Sequence, residues 1–182
     1  NADIMVVKRL FDGGQAGIYS SWSLLSKIIL YAAGSGLSVG LVFFSSSDQQ
    51  KNYKRVLLYS LAFLASIAVC AIGFYWVLGE WFVAMLFGSR FSSVTAYLPL
   101  AGIFGSMYLL ITFLNQYAVA QNRKTMLVAP ASAPFYIAAL FYFGTSLQNV
   151  MIVNIVFTGF MLILYLLDIT LSFTHEKNTA QK

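Results

Sequence analysis

A lysine, Lys27, stands inside an apolar run that extends from Gly17 to Phe44, GIYSSWSLLSKIILYAAGSGLSVGLVFF. A helix in a water-soluble core has no use for so long a run, whereas crossing the hydrocarbon of a bilayer takes about 20 such residues. Four further runs follow at about 55–78, 97–120, 126–143 and 150–173. Hydrophobic residues make up 59% of the chain and charged residues 9%, against about a quarter charged in soluble domains. Backbone groups in lipid must be paired within a helix or a closed barrel, and these runs lack the alternation of barrel strands. The expected fold is therefore all-α, a polytopic membrane bundle of five transmembrane helices.

Around these spans, residues 1–16 read as the end of a preceding helix and an outer connection. Residues 79–96, with Trp81 and Phe82, read as an interfacial segment, and 174–182 as a polar tail. Five crossings put alternate loops on opposite sides. One side collects Lys51, Lys54, Arg55, Arg123, Lys124, Lys177 and Lys182, the other only Lys8, Arg9 and Arg90. The positive-inside rule makes the first side cytoplasmic, with the C-terminus inside and Asn1 outside. That arrangement is natural for the last helices of a longer protein.

Helical spacing sorts the polar residues into stripes. Ser20, Ser23, Lys27, Tyr31, Gly34 and Ser38 share one face of the first span, and Ala32, Gly36 and Gly40 form a small-residue packing seam opposite. Ten residues into its span, Lys27 would lie about 15 Å deep. A lysine stem recovers only part of that depth by snorkelling, so a wet cavity is the expected surrounding. In the last span Asn154, Thr158, Met161, Tyr165, Asp168 and Ser172 align. Asp168 lies near the cytoplasmic end, where it serves either as a hydrated interfacial carboxylate or in coupling and gating. Asn115 and Gln116 in the third span either bridge helices or line a cavity. The second span carries only a weak stripe, Tyr59, Ala62, Ser66, Cys70 and Gly73, which ordinary packing explains, and Cys70 reads as a small buried hydrophobe. Pro130 and Pro134, one turn apart, predict a bent or broken fourth span, as a static kink or a gate.

Chemistry is sparse. No phosphate-binding glycine loop, metal-ligand spacing or nucleophile elbow occurs, so no enzyme activity, metal or cofactor is expected. The formal charge of +5 is spread over loops between apolar runs, which argues against nucleic acid as a partner.

Three pieces resemble the second half of oligosaccharide flippases of the multidrug/oligosaccharidyl-lipid/polysaccharide exporter superfamily. In NADIMVVKRLFDGGQAGIYSS, the family's acidic residue and the following Gly, Tyr and small residues are matched by Asp3, Gly17, Tyr19 and Ser20. LFGSRF before YLPLAGI is similar to the family's glycine element before its tenth helix, and QYAVAQNRKT to the basic turn after it. The chain departs from many relatives in having FFSSS where they place a proline. The resemblance implies helices eight to twelve of a bacterial cytoplasmic-membrane carrier, forming most of its C-terminal MATE-like lobe and completed by an N-terminal lobe of the same protein. Such a carrier moves an undecaprenyl-diphosphate-linked oligosaccharide outward by alternating access. Lys27 then meets the diphosphate, Tyr31, Asn115, Gln116 and Asn154 line the cavity, and Arg123 and Lys124 stand on the cytoplasmic rim, touching anionic lipid heads or capturing substrate. A multidrug exporter with an acid-lined cavity is the alternative within transport, and a membrane-embedded glycan polymerase or ligase the alternative outside it.

Overall fold

The computed structural model describes residues 2–45 and 53–180, and within these the side chains of 2–34, 54–88 and 91–173. Six α-helices run along the described chain: α1 (Ala2–Leu10), α2 (Gly13–Ser45), α3 (Tyr53–Phe87), α4 (Leu98–Ala120), α5 (Val128–Phe143) and α6 (Leu147–Ala180). Two 3-10 stretches, Ser89–Tyr97 and Lys124–Leu127, lead into α4 and α5. No strand occurs among the described residues. Four stretches, Lys54–Phe87, Phe91–Ala120, Lys124–Phe143 and Leu147–Phe173, are long and apolar enough to cross a membrane. The first expected span folds as α2, whose side chains beyond residue 34 lie outside the described ones.

Helix α4 is the hub, packing on α2, α3 and α6. Its sequence allows this because two small residues bring two different helices close. A Cβ on Gly105 would fall 2.1 Å from the Ser26 carbonyl oxygen of α2, and one on Gly102 would fall 3.3 Å from the Ile72 Cα of α3. Pro99 enters α4 in its first turn, where the missing N–H is not needed. Polar groups that pass between helices are satisfied by backbone: the Tyr75 hydroxyl donates to the Leu25 carbonyl at 2.6 Å, and the Trp22 indole to the Tyr97 carbonyl at 3.0 Å. Trp22 also stacks on Phe104, 5.3 Å between ring centroids. Large apolar side chains, Phe63 and Val69 of α3 and Phe135 and Tyr142 of α5 among them, point outward, as the surface of a membrane-embedded bundle does.

Several expectations need correction. Of the seam expected on α2, Ala32 is exposed, and Gly36 and Gly40 lie outside the described side chains; the tight contact of α2 among the described residues is Ser26 against Gly105. On α3 the supposed packing stripe faces outward, with Tyr59 and Cys70 exposed, and Leu57, Leu64, Ala68 and Tyr75 make the buried face. Apolar residues surround that helix, so a stripe of slightly more polar ones had no power to choose the inner side. Residues 79–96 are not one interfacial element, since α3 continues to Phe87, Gly88 ends it at φ 76°, and a 3-10 stretch follows. The tail from 174 likewise begins as helix, because α6 runs to Ala180.

Candidate functional site

Helix α1 turns at Phe11 and Asp12 and folds back along the start of α2. Asp12 caps that start, its Oδ1 accepting the Gln15 N–H at 2.8 Å. The reversal brings Asp3 beside Tyr19 and Ser23. Asp3 is buried, and its Oδ2 accepts from the Tyr19 hydroxyl at 2.9 Å and from Ser23 Oγ at 3.3 Å. Ser23 Oγ accepts in turn from the Lys27 ammonium at 3.0 Å. On the other branch, the Tyr136 hydroxyl of α5 donates to Asn154 Oδ1, and Asn154 Nδ2 donates to the Tyr19 hydroxyl.

The direction of these bonds is informative. An ammonium only donates and an ionised carboxylate only accepts, while hydroxyls and amides do both. Both branches run toward the Asp3 carboxyl, one beginning at the Lys27 ammonium and one at the Tyr136 hydroxyl. Four helices, α1, α2, α5 and α6, thus contribute to one polarised network, in which each bond strengthens the next.

Beside the network lies a cavity of about 260 Å³, lined among others by Asp3, Lys27, Tyr108, Ser132, Tyr136 and Thr158. Its depth follows from the helices that form it. Tyr108, Ser132 and Thr158 all fall close to the midpoints of the membrane-length stretches Phe91–Ala120, Lys124–Phe143 and Leu147–Phe173, and Lys27 falls near the middle of α2. A mostly apolar concavity that holds a lysine and a carboxyl therefore sits halfway along the bundle.

The remaining predicted residues separate into groups. Asn154, fully buried, joins the network, and the expected α6 stripe of Asn154, Thr158, Met161 and Tyr165 is the buried face of that helix. Asn115 bridges helices, accepting from the Tyr165 hydroxyl at 2.8 Å. Gln116 keeps a buried Oε1 with no hydrogen-bond donor among the described residues. Tyr31, one turn beyond Lys27, is 66% exposed and lies outside the cavity lining.

At the far end of α4 a second polar cluster forms. Asn122 adopts φ 50°, a left-handed conformation that asparagine tolerates, and so turns the chain toward α6. Arg123 then donates to Asp168 Oδ2 at 2.6 Å, the Thr125 hydroxyl donates to the same oxygen at 3.2 Å, and the guanidinium lies 5.7 Å from the Tyr117 ring centroid. Lys124 is exposed beside it. Lys54, 4.9 Å over the Phe173 ring, places the start of α3 at this same end. The prolines do not break α5: Pro130 falls in its first turn, Pro134 lies inside it, and the helix runs continuously from Val128 to Phe143.

Sequence reasoning missed Asp3 as a site residue, because nine residues of α1 look like a stub rather than a wall of the cavity. The resemblance had singled out both Asp3 and Tyr19, and Ser23 stood on the Lys27 stripe. Tyr136 left no signal, since it is one of five aromatic residues in a largely apolar helix. Comparison with family models, curated proteins and solved structures finds no match to this chain.

Proposed function

We propose that this chain forms most of the C-terminal lobe of a membrane transporter that carries an undecaprenyl-diphosphate-linked oligosaccharide across the bacterial cytoplasmic membrane by alternating access. One observation carries the reading: Lys27 and Asp3 line a largely apolar cavity at the middle of a bundle whose outer faces are apolar. A cation is expensive at that depth and stands there where something passes it. A diphosphate is a partner chemically suited to an ammonium, and hydroxyl and amide groups around it suit sugars. The cavity of about 260 Å³ takes a headgroup fragment, and a second lobe facing Tyr31 supplies the remaining wall in this reading. The cluster of Lys54, Arg123 and Lys124 at one end supports reading that end as the cytoplasmic rim, following the positive-inside rule.

Replacing Lys27 by alanine in the full-length protein tests this directly. Export of lipid-linked glycan is expected to fall by about tenfold or more, as the loss of a charge-assisted contact implies, with normal protein levels in the membrane. Undiminished export removes the site.

A second reading has one observation in its favour. Asp3 also lines the cavity, and an acid there suits a cationic substrate of a multidrug exporter. Asp168 no longer supports that alternative, being held by Arg123 at the rim. An Asp3→Asn variant that loses efflux of a cationic dye, while Lys27→Ala retains it, would favour the second reading over the first.

A further inference from the structure

We infer that the cleft between the end of α3 and the 3-10 stretch after it is a carbohydrate subsite for an uncharged sugar ring. Trp76 and Glu80, one turn apart, lie on one wall, with Ser92, Thr95 and Pro99 on the other, around a space of about 540 Å³. Spacing explains the juxtaposition. Residues four apart share a face of an α-helix, and residues three apart eclipse on a 3-10 helix, so two pairs of ligand-capable side chains face each other. Gly88 at φ 76° makes the reversal that sets the second wall against the first.

The chemistry selects the ligand. Trp76 is 80% exposed, offering a flat apolar face to the C–H side of a pyranose. Glu80 supplies an acceptor for sugar hydroxyls, and the Ser92 and Thr95 hydroxyls donate or accept. None of these three polar side chains makes a side-chain hydrogen bond among the described residues. No cation lines the cleft among the described residues, in contrast to the Lys27 cavity, and the acidic Glu80 in its wall disfavours an anion such as phosphate.

Position also fits. From Lys54 to Glu80 α3 rises about 39 Å at about 1.5 Å per residue, more than the hydrocarbon thickness of about 30 Å. With Lys54 at one headgroup layer, Glu80 reaches water on the opposite side. A tryptophan that only anchored a helix in the headgroup layer would need no polar concavity beside it. The cleft itself rests on geometry alone. That it receives the glycan after passage rests on the transport reading.

The test is saturation-transfer NMR on the full-length protein in nanodiscs of phosphatidylglycerol, with glucose, galactose, N-acetylglucosamine and rhamnose as probes. At least one sugar is expected to bind saturably, and both Trp76→Ala and Glu80→Gln to weaken it by about tenfold. Both side chains are exposed, and an unchanged unfolding temperature confirms that the variants fold. Absence of transfer to all four sugars, or binding unchanged in either variant, overturns the proposal. So does a Trp76-dependent change of emission when phosphatidylethanolamine replaces phosphatidylglycerol without any sugar response, which makes the cleft an amine-headgroup seat. Because Lys27 is untouched, failure here leaves the glycan-export result standing, and loss of the Lys27 result leaves sugar binding standing.

Discussion

Lys27 and Arg123 are both cations linked to a carboxyl on another helix, and their settings are opposite. Arg123 touches Asp168 directly at 2.6 Å, with 20% and 35% of the two side chains still exposed. Lys27 donates to the Ser23 hydroxyl, which donates to Asp3, inside a network that also holds Tyr19, Asn154 and Tyr136. The rim pair closes a turn between α4 and α6, where water screens what the pair does not satisfy. The deep network is built on the buried Asp3, Tyr19, Ser23 and Asn154, whose polar groups depend on one another, and it borders a cavity. Similar cations therefore close a turn at one place and border a cavity at the other, and it is the carboxyls that differ in burial, Asp3 being 6% exposed and the Asp168 side chain 35%.

Removing Asp3 probes the deep network most severely. Asp3→Ala leaves the buried Tyr19 and Ser23 hydroxyls without their acceptor, at about 1–3 kcal/mol for each, and is expected to cost the most in reversible unfolding from mixed micelles. A loss as small as that of a rim variant would break the contrast. Next comes Gly105→Val, which touches no polar side chain but drives atoms into the Ser26 carbonyl. Overpacking of this kind costs about 1–3 kcal/mol. If glycan export falls with it while the Asp3 network's tyrosine and serine hydroxyls stay protected from exchange, packing and site separate cleanly. Arg123→Ala should matter least, about 1 kcal/mol or less, and its effect should shrink as salt is raised. A salt-independent loss would move Arg123 into the same class as Lys27.

Much of the architecture was legible. Helix positions for 97–120, 126–143 and 150–173 agree with α4, with the Lys124–Leu127 turn plus α5, and with the first part of α6, because long apolar runs have one economical conformation in hydrocarbon. The α6 stripe was legible as well, since Asn154, Thr158 and Tyr165 contrast with aliphatic neighbours. On α3 the contrast was too faint, and the inner face went to Leu57, Leu64, Ala68 and Tyr75. Pro134 illustrates another limit: a proline in a helix sets a local constraint, and neighbouring helices determine whether the helix yields to it.

Composition and run length alone determined that this chain is helical and apolar enough to cross a membrane, and the isolated Lys27 marked where to look. What only the tertiary structure decided is the company Lys27 keeps. The turn at Phe11 and Asp12 carries Asp3 back beside α2, and Gly105 draws α2 onto α4 beside the cavity that α5 and α6 help to close. A helical stripe specifies which residues share a face, but the rotation of that face and the neighbour it meets follow from close contacts among all the helices at once.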